Sequence, residues 1–270
     1  MSNPNRPAKP QHQLTVLASE RVSPHLVRLT LTGETVADFP DNGVTDAYLK
    51  LIFVDPRLGL TPPYDVRALR EELPLDQAPR VRTYSVRAID RAAGTVTVDF
   101  VVHGTEGIAG PWAASAQPGD TIAATGPGGA YSPSPEAPFH LFVGDLSALP
   151  AISAALDQVG AGVPGLALIE IHDQADVLDL SGSHAVEVQW LLNQDDTDVE
   201  FLARAAREAE WPATAQVFAH GEREAIKAVR AVMRERQIPR NALSISAYWA
   251  KGRTEDAFQA EKREPIGHID

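Results

Sequence analysis

Several short stretches carry the residue types from which a binding or redox site is built. PRVRTYSVR, residues 79–87, sets Arg80, Arg82 and Arg87 around Thr83, Tyr84 and Ser85. A guanidinium binds a phosphate through charge-assisted, often paired, hydrogen bonds. A tyrosine ring supplies a flat wall, and the hydroxyls can meet the polar edge of a ring system. In a strand Arg82 and Tyr84 share one face, while Thr83 and Ser85 share the other. The structural alternative is an edge strand with solvated arginines. HGTEGIAGPWA, residues 103–113, reads as a phosphate cradle. Glycines permit close backbone approach, and Pro111 suits the first turn of a short helix whose N-terminus favours an anion.

Two further stretches lie later in the chain. GDLSALPAISAAL, residues 144–156, places Asp145 and Ser147 just after a strand, where open parallel sheets bind ligands and where the same side chains can simply cap a helix. AYWAKGR, residues 247–253, puts Tyr248 and Trp249 on opposite faces of a strand, with Lys251 and Arg253 on the loop that follows. One of the two rings is expected in the core and the other near the site.

Composition restricts what such a site can do. With no cysteine there is no disulfide, thiolate nucleophile, cysteine-held zinc or iron–sulfur cluster. Electrons, if they move, need an organic carrier. With 24 Lys+Arg against 36 Asp+Glu, the net charge is −12, which disfavours nucleic acid and anionic membranes. Any bound anion therefore needs a local cationic site. No uninterrupted apolar run of about 18 residues occurs, and the opening MSNPNRPAKPQHQ lacks the apolar centre of a signal peptide, which leads to the expectation of a cytoplasmic protein.

The elements that must position these residues divide the chain in two. Six alternating segments, QLTVLASERV, HLVRLTLTG, AYLKLIFV, RTYSVRAID, TVTVDFVVHG and DTIAATGPGG, predict an antiparallel barrel or sandwich in which only GIAGPWAASA is helical. From about Pro138 strands and helices alternate, which predicts a parallel α/β sheet. The Pro- and Ser-rich YSPSPEAP, residues 131–138, marks the boundary, giving units 1–137 and 138–270. The polar tail QAEKREPIGHID is expected to be loosely held.

The ordered set RTYS, VDFVVHGTEGIAGPWA, FVGDLSALPAI, HGEREAIKAVR and AYWAKGRTED resembles the siderophore-interacting protein family of ferric-siderophore reductases, from about Leu14 to Asp256. The resemblance implies a six-stranded antiparallel flavin-binding barrel followed by a parallel-sheet α/β domain of the NAD(P)H-binding type. It implies FAD at Arg82, Thr83, Tyr84, Ser85, Asp99, His103, Gly104, Ala109, Gly110 and Trp112, with Asp145, Ser147 and Trp249 on the nicotinamide side. Lys50, Lys251 and Arg253 become the cations for an anionic ferric siderophore, and no catalytic residue is required beyond the flavin. The implied electron donor is NADH, NADPH or a reduced protein such as ferredoxin. Two departures stand out: Leu146 replaces a family carboxylate, and Asn193 stands where a basic residue is common. A general flavin or ferredoxin-type oxidoreductase and a non-catalytic siderophore carrier are the competing readings.

Overall fold

The computed structural model describes residues 10–40, 43–104, 107–180, 182 and 185–269. Six strands, β1 (Gln11–Ser23), β2 (Leu26–Thr32), β3 (Tyr48–Phe53), β4 (Arg80–Asp90), β5 (Thr95–Val101) and β6 (Thr121–Gly128), close into an antiparallel barrel in the order β1-β2-β5-β4-β3-β6. Alternation drives this closure. Leu29 and Leu31 of β2, Leu49 and Leu51 of β3, and Val96, Val98 and Phe100 of β5 are fully buried in one core. Each such side chain contributes about 1.5–3 kcal/mol by leaving water. Gly126 is required where β6 passes β3: it sits at φ +122°, and a Cβ there would lie 2.9 Å from the Tyr48 carbonyl oxygen.

The second unit is a five-stranded parallel sheet of β7 (His140–Gly144), β8 (Pro164–Ile171), β9 (Ala185–Leu192), β10 (Gln216–Glu222) and β11 (Leu243–Trp249), ordered β11-β10-β7-β8-β9. One face packs Leu141, Val143 and Val217 against helices α4 (Phe201–Glu208) and α5 (Arg223–Glu235). The opposite face packs Phe142, Ile169 and Phe218 against α3 (Leu149–Leu156) and against Leu26 and Tyr131 from the barrel side. The strand order reverses between β7 and β10, the point at which such sheets form a crevice outside their carboxyl ends.

Two features differ from the sequence reading, and the packing of the boundary stretch adds to it. A second barrel-side helix, α1 (Val66–Glu72), accompanies α2 (Ala109–Ser115); Asp65 caps it by accepting a hydrogen bond from Ala68 N–H. The boundary stretch is not a free linker, because Tyr131 is buried 4.8 Å from the Phe218 ring. The polar tail is docked: α6 (Glu255–Glu261) buries Phe258 against Ala247 and Ala250, and Glu261 pairs with Arg223 and Arg253. Long-range burial of one phenylalanine outweighs the polar composition around it.

The two units are tied at several points. Buried Asp176, after β8, accepts from the Ser23 hydroxyl at 2.6 Å and pairs with His25 Nδ1 at 2.7 Å. Arg87 of β4 pairs with Asp157 at the end of α3 at 2.7 Å.

Candidate functional site

β4 carries the arginine motif beside β3, with Leu51 opposite Arg82, Lys50 opposite Thr83 and Tyr48 opposite Ser85. Of the three motif arginines, Arg80 is exposed and Arg87 turns to Asp157, which leaves Arg82 for the site. Its Nη1 donates to the Val81 carbonyl at 2.8 Å and to Asp256 at 3.0 Å, and among the described residues Nη2 and Nε have no partner. Tyr84 leans on Phe100 at 4.3 Å, and Trp112 meets Phe100 and Phe53 edge-on at 5.8 and 5.7 Å. Tyr84 and Trp112 are therefore only partly buried at the edge of the barrel core. Burial pushes the Tyr84 phenol pKa far up, with the Glu255 charge adding to the shift, so the ring remains neutral.

The glycine stretch leads into α2. His103 and Gly104 are exposed, and Gly104 takes φ +57°. Thr105 and Glu106 of this stretch lie outside the described residues. Ala109 is buried, so it offers backbone only, and Gly110 lies over β5 with room for a Cβ at ordinary contact distance, 3.4 Å from the Val101 oxygen. No side chain caps the start of α2. Asp99 is buried with both carboxylate oxygens held by Arg28, at 2.7 and 2.8 Å. The sequence reading missed Arg28, although Arg28 and Asp99 lie directly opposite each other across paired strands. The carboxylate hydrogen bond raises the arginine's already high pKa, so the pair stays ionised and fixes Asp99, adding no net charge to the site.

The sheet side is organised by Asp145. One carboxylate oxygen accepts from Ser147 N–H and the Ser147 hydroxyl at 2.8 and 2.5 Å. The other accepts from Glu222 N–H at 2.9 Å and the Trp249 indole N–H at 2.8 Å. Asp145 thus joins the ends of β7, β10 and β11 across the switch point. Gly221 is required beside it, at φ +155°, because a Cβ there would lie 2.8 Å from the carboxylate. Trp249 stays 39 % exposed, whereas Tyr248 turns inward onto His220 at 4.8 Å, with Ser85 of the barrel motif as a hydrogen-bonding neighbour. Tyr248 thereby links the two halves of the site.

The two departures noted in the sequence have structural partners. Leu146 packs against the core beneath α3. Asn193 is buried, donates to Glu170 at 2.7 Å, and accepts from His172 through its carbonyl oxygen. Burial raises the Glu170 pKa, with the Asn193 hydrogen bond opposing that shift.

The cations rearrange. Lys251 reaches Asp196 at 2.6 Å and Arg253 reaches Glu261 at 2.6 Å, so both are neutralised locally. Lys50 keeps only a 3.5 Å contact to Thr83 Oγ1 and a position 6.0 Å from the Tyr48 ring centre. Its charged neighbour is Lys262, just past α6, whose pKa is lowered by desolvation and further by Lys50, with Glu255 opposing. Lys262 makes no ion pair among the described residues and lies 4.6 Å from the Phe258 ring centre. Neither lysine is held in an ion pair among the described residues, and the Glu255 charge offsets part of their mutual repulsion, so both ammonium groups remain able to meet an anion. A cavity of about 240 Å³ elsewhere, between β4 and α3 and lined by Val44, Val86, Arg87 and Asp157, contains none of these candidates.

His220, at the carboxyl end of β10, is 4 % exposed and stacks on Phe218 at 4.0 Å. Desolvation, aided by Lys262, lowers its pKa to about 3. The folded pKa lies below the ordinary value of about 6.5, so the unfolded chain takes up the proton first. Stability from this residue is complete above about pH 6.5 and falls as pH drops toward 3, by at most about 1.4 kcal/mol per pH unit. Urea titrations from pH 7 to 4.5 should show a shallower loss in His220→Phe than in the parent; parallel curves would refute this.

A closed six-stranded antiparallel barrel followed by a five-stranded parallel α/β sheet defines the class as a ferredoxin-reductase-like fold. A ferredoxin reductase of carbazole 1,9a-dioxygenase superposes on 91 % of the chain with TM-score 0.66 at 17 % identity, which supports the fold alone. Within that class, the chain belongs to the siderophore-interacting protein family: the profile of the siderophore-interacting FAD-binding domain matches residues 15–131, and that of the siderophore-interacting protein matches 137–252. It is 31 % identical to the ferric vibriobactin reductase of Vibrio cholerae over 92 % of this chain and 93 % of that one. An uncharacterised protein of Mycobacterium tuberculosis is 40 % identical, over 95 % and 96 % of the two chains. The siderophore-interacting protein SipS of Aeromonas hydrophila superposes with TM-score 0.78 at 29 % identity, covering 96 % of this chain and 99 % of that one. No described helix is long and apolar enough to cross a membrane.

Proposed function

We propose that this protein reduces Fe(III) to Fe(II) in a bound ferric siderophore, using FAD, and so releases the iron. The observation that carries the reading is the Arg82–Ser85 strand paired with β3, which sets Lys50 opposite Thr83 at the edge of the site without an ion pair, with Lys262 near enough to feel the charges of Glu255 and Lys50. The vibriobactin relative's description as a ferric reductase supports it. The site fits FAD: Arg82 keeps two nitrogens open for a phosphate, α2 begins without a side-chain cap, and Tyr84 and Trp112 form an incompletely buried aromatic wall.

In this reading Arg82 and the backbone at Gly104, Ala109 and Gly110 hold the pyrophosphate, and Thr83 and Ser85 meet the ring edge. Arg28, fixed by Asp99, supports the strand pair beneath. Asp145, through Ser147 and Trp249, shapes the nicotinamide side, and units 1–137 and 138–270 divide these tasks. FAD supplies the ability to accept electrons as a hydride pair and to release them singly, so one donor equivalent serves two ferric complexes. Lys50 and Lys262 hold the anionic complex against a chain of net charge −12. Reduction lowers the charge density of iron and weakens its hard oxygen ligation, so the metal leaves without any protein ligand.

The donor is NADH, NADPH or a reduced ferredoxin, and the expected setting is the cytoplasm, where those pools reside. The test is an anaerobic spectrum of the FAD-loaded protein as each donor and then a ferric siderophore is added. Bleaching of the flavin by a donor, followed by recovery with one Fe(II) per electron, is the expected result. A reduced flavin that ferric siderophore does not reoxidise would overturn the proposal and favour a general flavin reductase. Failure to take up FAD would favour a carrier.

A further inference from the structure

Asp256 lies on α6, beyond the residues matched by either family profile. Its two carboxylate oxygens reach different arginines: Oδ2 meets Arg82 Nη1 at 3.0 Å, and Oδ1 meets Arg70 Nη2 at 3.4 Å. Arg70 in turn donates from Nε to the Pro79 carbonyl, at the start of β4. We propose that Asp256 is a positioning residue for the cofactor, orienting Arg82 toward the FAD pyrophosphate and making the C-terminal helix a third wall of the FAD site.

Three features support this role over that of a competing anion. Asp256 does not grip Arg82 as a paired fork. Its contact and the Val81 carbonyl both fall on Nη1, so the Nε and Nη2 edge stays free for a planar, two-point contact with phosphate. The carboxylate is also shared between Arg82 and Arg70, so it is not a dedicated partner that would cancel the Arg82 charge. Finally, Asp256 is presented by an element that is itself held. Thr254 accepts from Ala257 N–H at the start of α6, Phe258 is 1 % exposed, and Glu261 is clamped by Arg223 and Arg253. A long arginine side chain has many rotamers to lose, and holding it before the ligand arrives lowers the entropy lost on binding. The Arg82 side chain is already only 14 % exposed.

This inference rests on the reading of Arg82 as the phosphate arginine, and the experiment separates the two. Apoprotein is titrated with FAD by flavin fluorescence for the parent, Asp256→Asn, Asp256→Glu, Arg82→Ala and the Arg82→Ala/Asp256→Asn double variant. The expected loss in Asp256→Asn is about fivefold in affinity, the scale of one screened ion pair. Asp256→Glu should recover most of it, and Asp256→Asn should cost nothing further where Arg82 is already alanine. A tighter or unchanged Kd in Asp256→Asn, or an equal loss in both backgrounds, would overturn the inference while leaving Arg82 in place. An unchanged Kd in folded Arg82→Ala would overturn both.

Discussion

Replacing Arg82 by alanine is expected to weaken FAD binding by tenfold or more while leaving the barrel folded. A hydrogen bond to a charged group contributes about 1.5–3 kcal/mol, which corresponds to roughly one to two powers of ten in affinity. The side chain, 14 % exposed, pairs with Asp256 outside the apolar cluster of the barrel, so its removal should leave circular dichroism unchanged and lower the melting temperature only slightly. Asp256 keeps Arg70 as a partner in the variant, which avoids an orphaned carboxylate. Tyr84→Ala is the companion measurement. It removes the ring that lies 4.3 Å from Phe100, and a shift in the flavin absorbance band would place that ring against the cofactor. An unchanged band would assign Tyr84 to the barrel core alone.

Removing Lys50 and Lys262 together should raise the KM for an anionic ferric siderophore by about tenfold at low salt, the loss expected from roughly 1.4 kcal/mol of charge attraction. The reason is that these two cations are unpaired. Lys262 is already desolvated, and Glu255 offsets the repulsion from Lys50, so an incoming anion relieves chiefly the desolvation cost carried by the free protein. The same double alanine change at Lys251 and Arg253 should have a much smaller effect, because Asp196 and Glu261 already satisfy those charges. Flavin reduction by the donor should be unaffected by the Lys50/Lys262 change. The KM difference should also shrink as salt rises, since exposed attractions are screened over a Debye length of about 8 Å at physiological ionic strength. An effect confined to the Lys251/Arg253 variant would return the docking site to the loop after β11.

Short-range patterns determined the architecture from the sequence alone. The period-two alternation of HLVRLTLTG and TVTVDFVVHG marks strands with one buried face, and the strand–helix alternation after Pro138 calls for a parallel sheet. These are local properties, legible because a residue's side of a strand follows from its parity. The same reading placed RTYS on a strand and AYW at the end of another, where β4 and β11 carry them. Even α1 had a local signal that was passed over, the Asp65 cap ahead of a glycine-free and proline-free run.

Tertiary structure decided how the charges pair. Arg82 meets Asp256 across 174 residues, Lys251 meets Asp196 across 55, and Arg87 is drawn away to Asp157 across 70. No periodicity encodes such pairings, because they depend on which loops the fold brings within about 4 Å, the range at which an ion pair forms. For the same reason Lys262, in a tail that composition alone describes as loose, becomes the neighbour of Lys50 once Phe258 is buried. The sequence determined that cations, rings and hydroxyls stand at the ends of particular strands. Packing over distances invisible to local pattern decided which of those cations remain free to receive an anion.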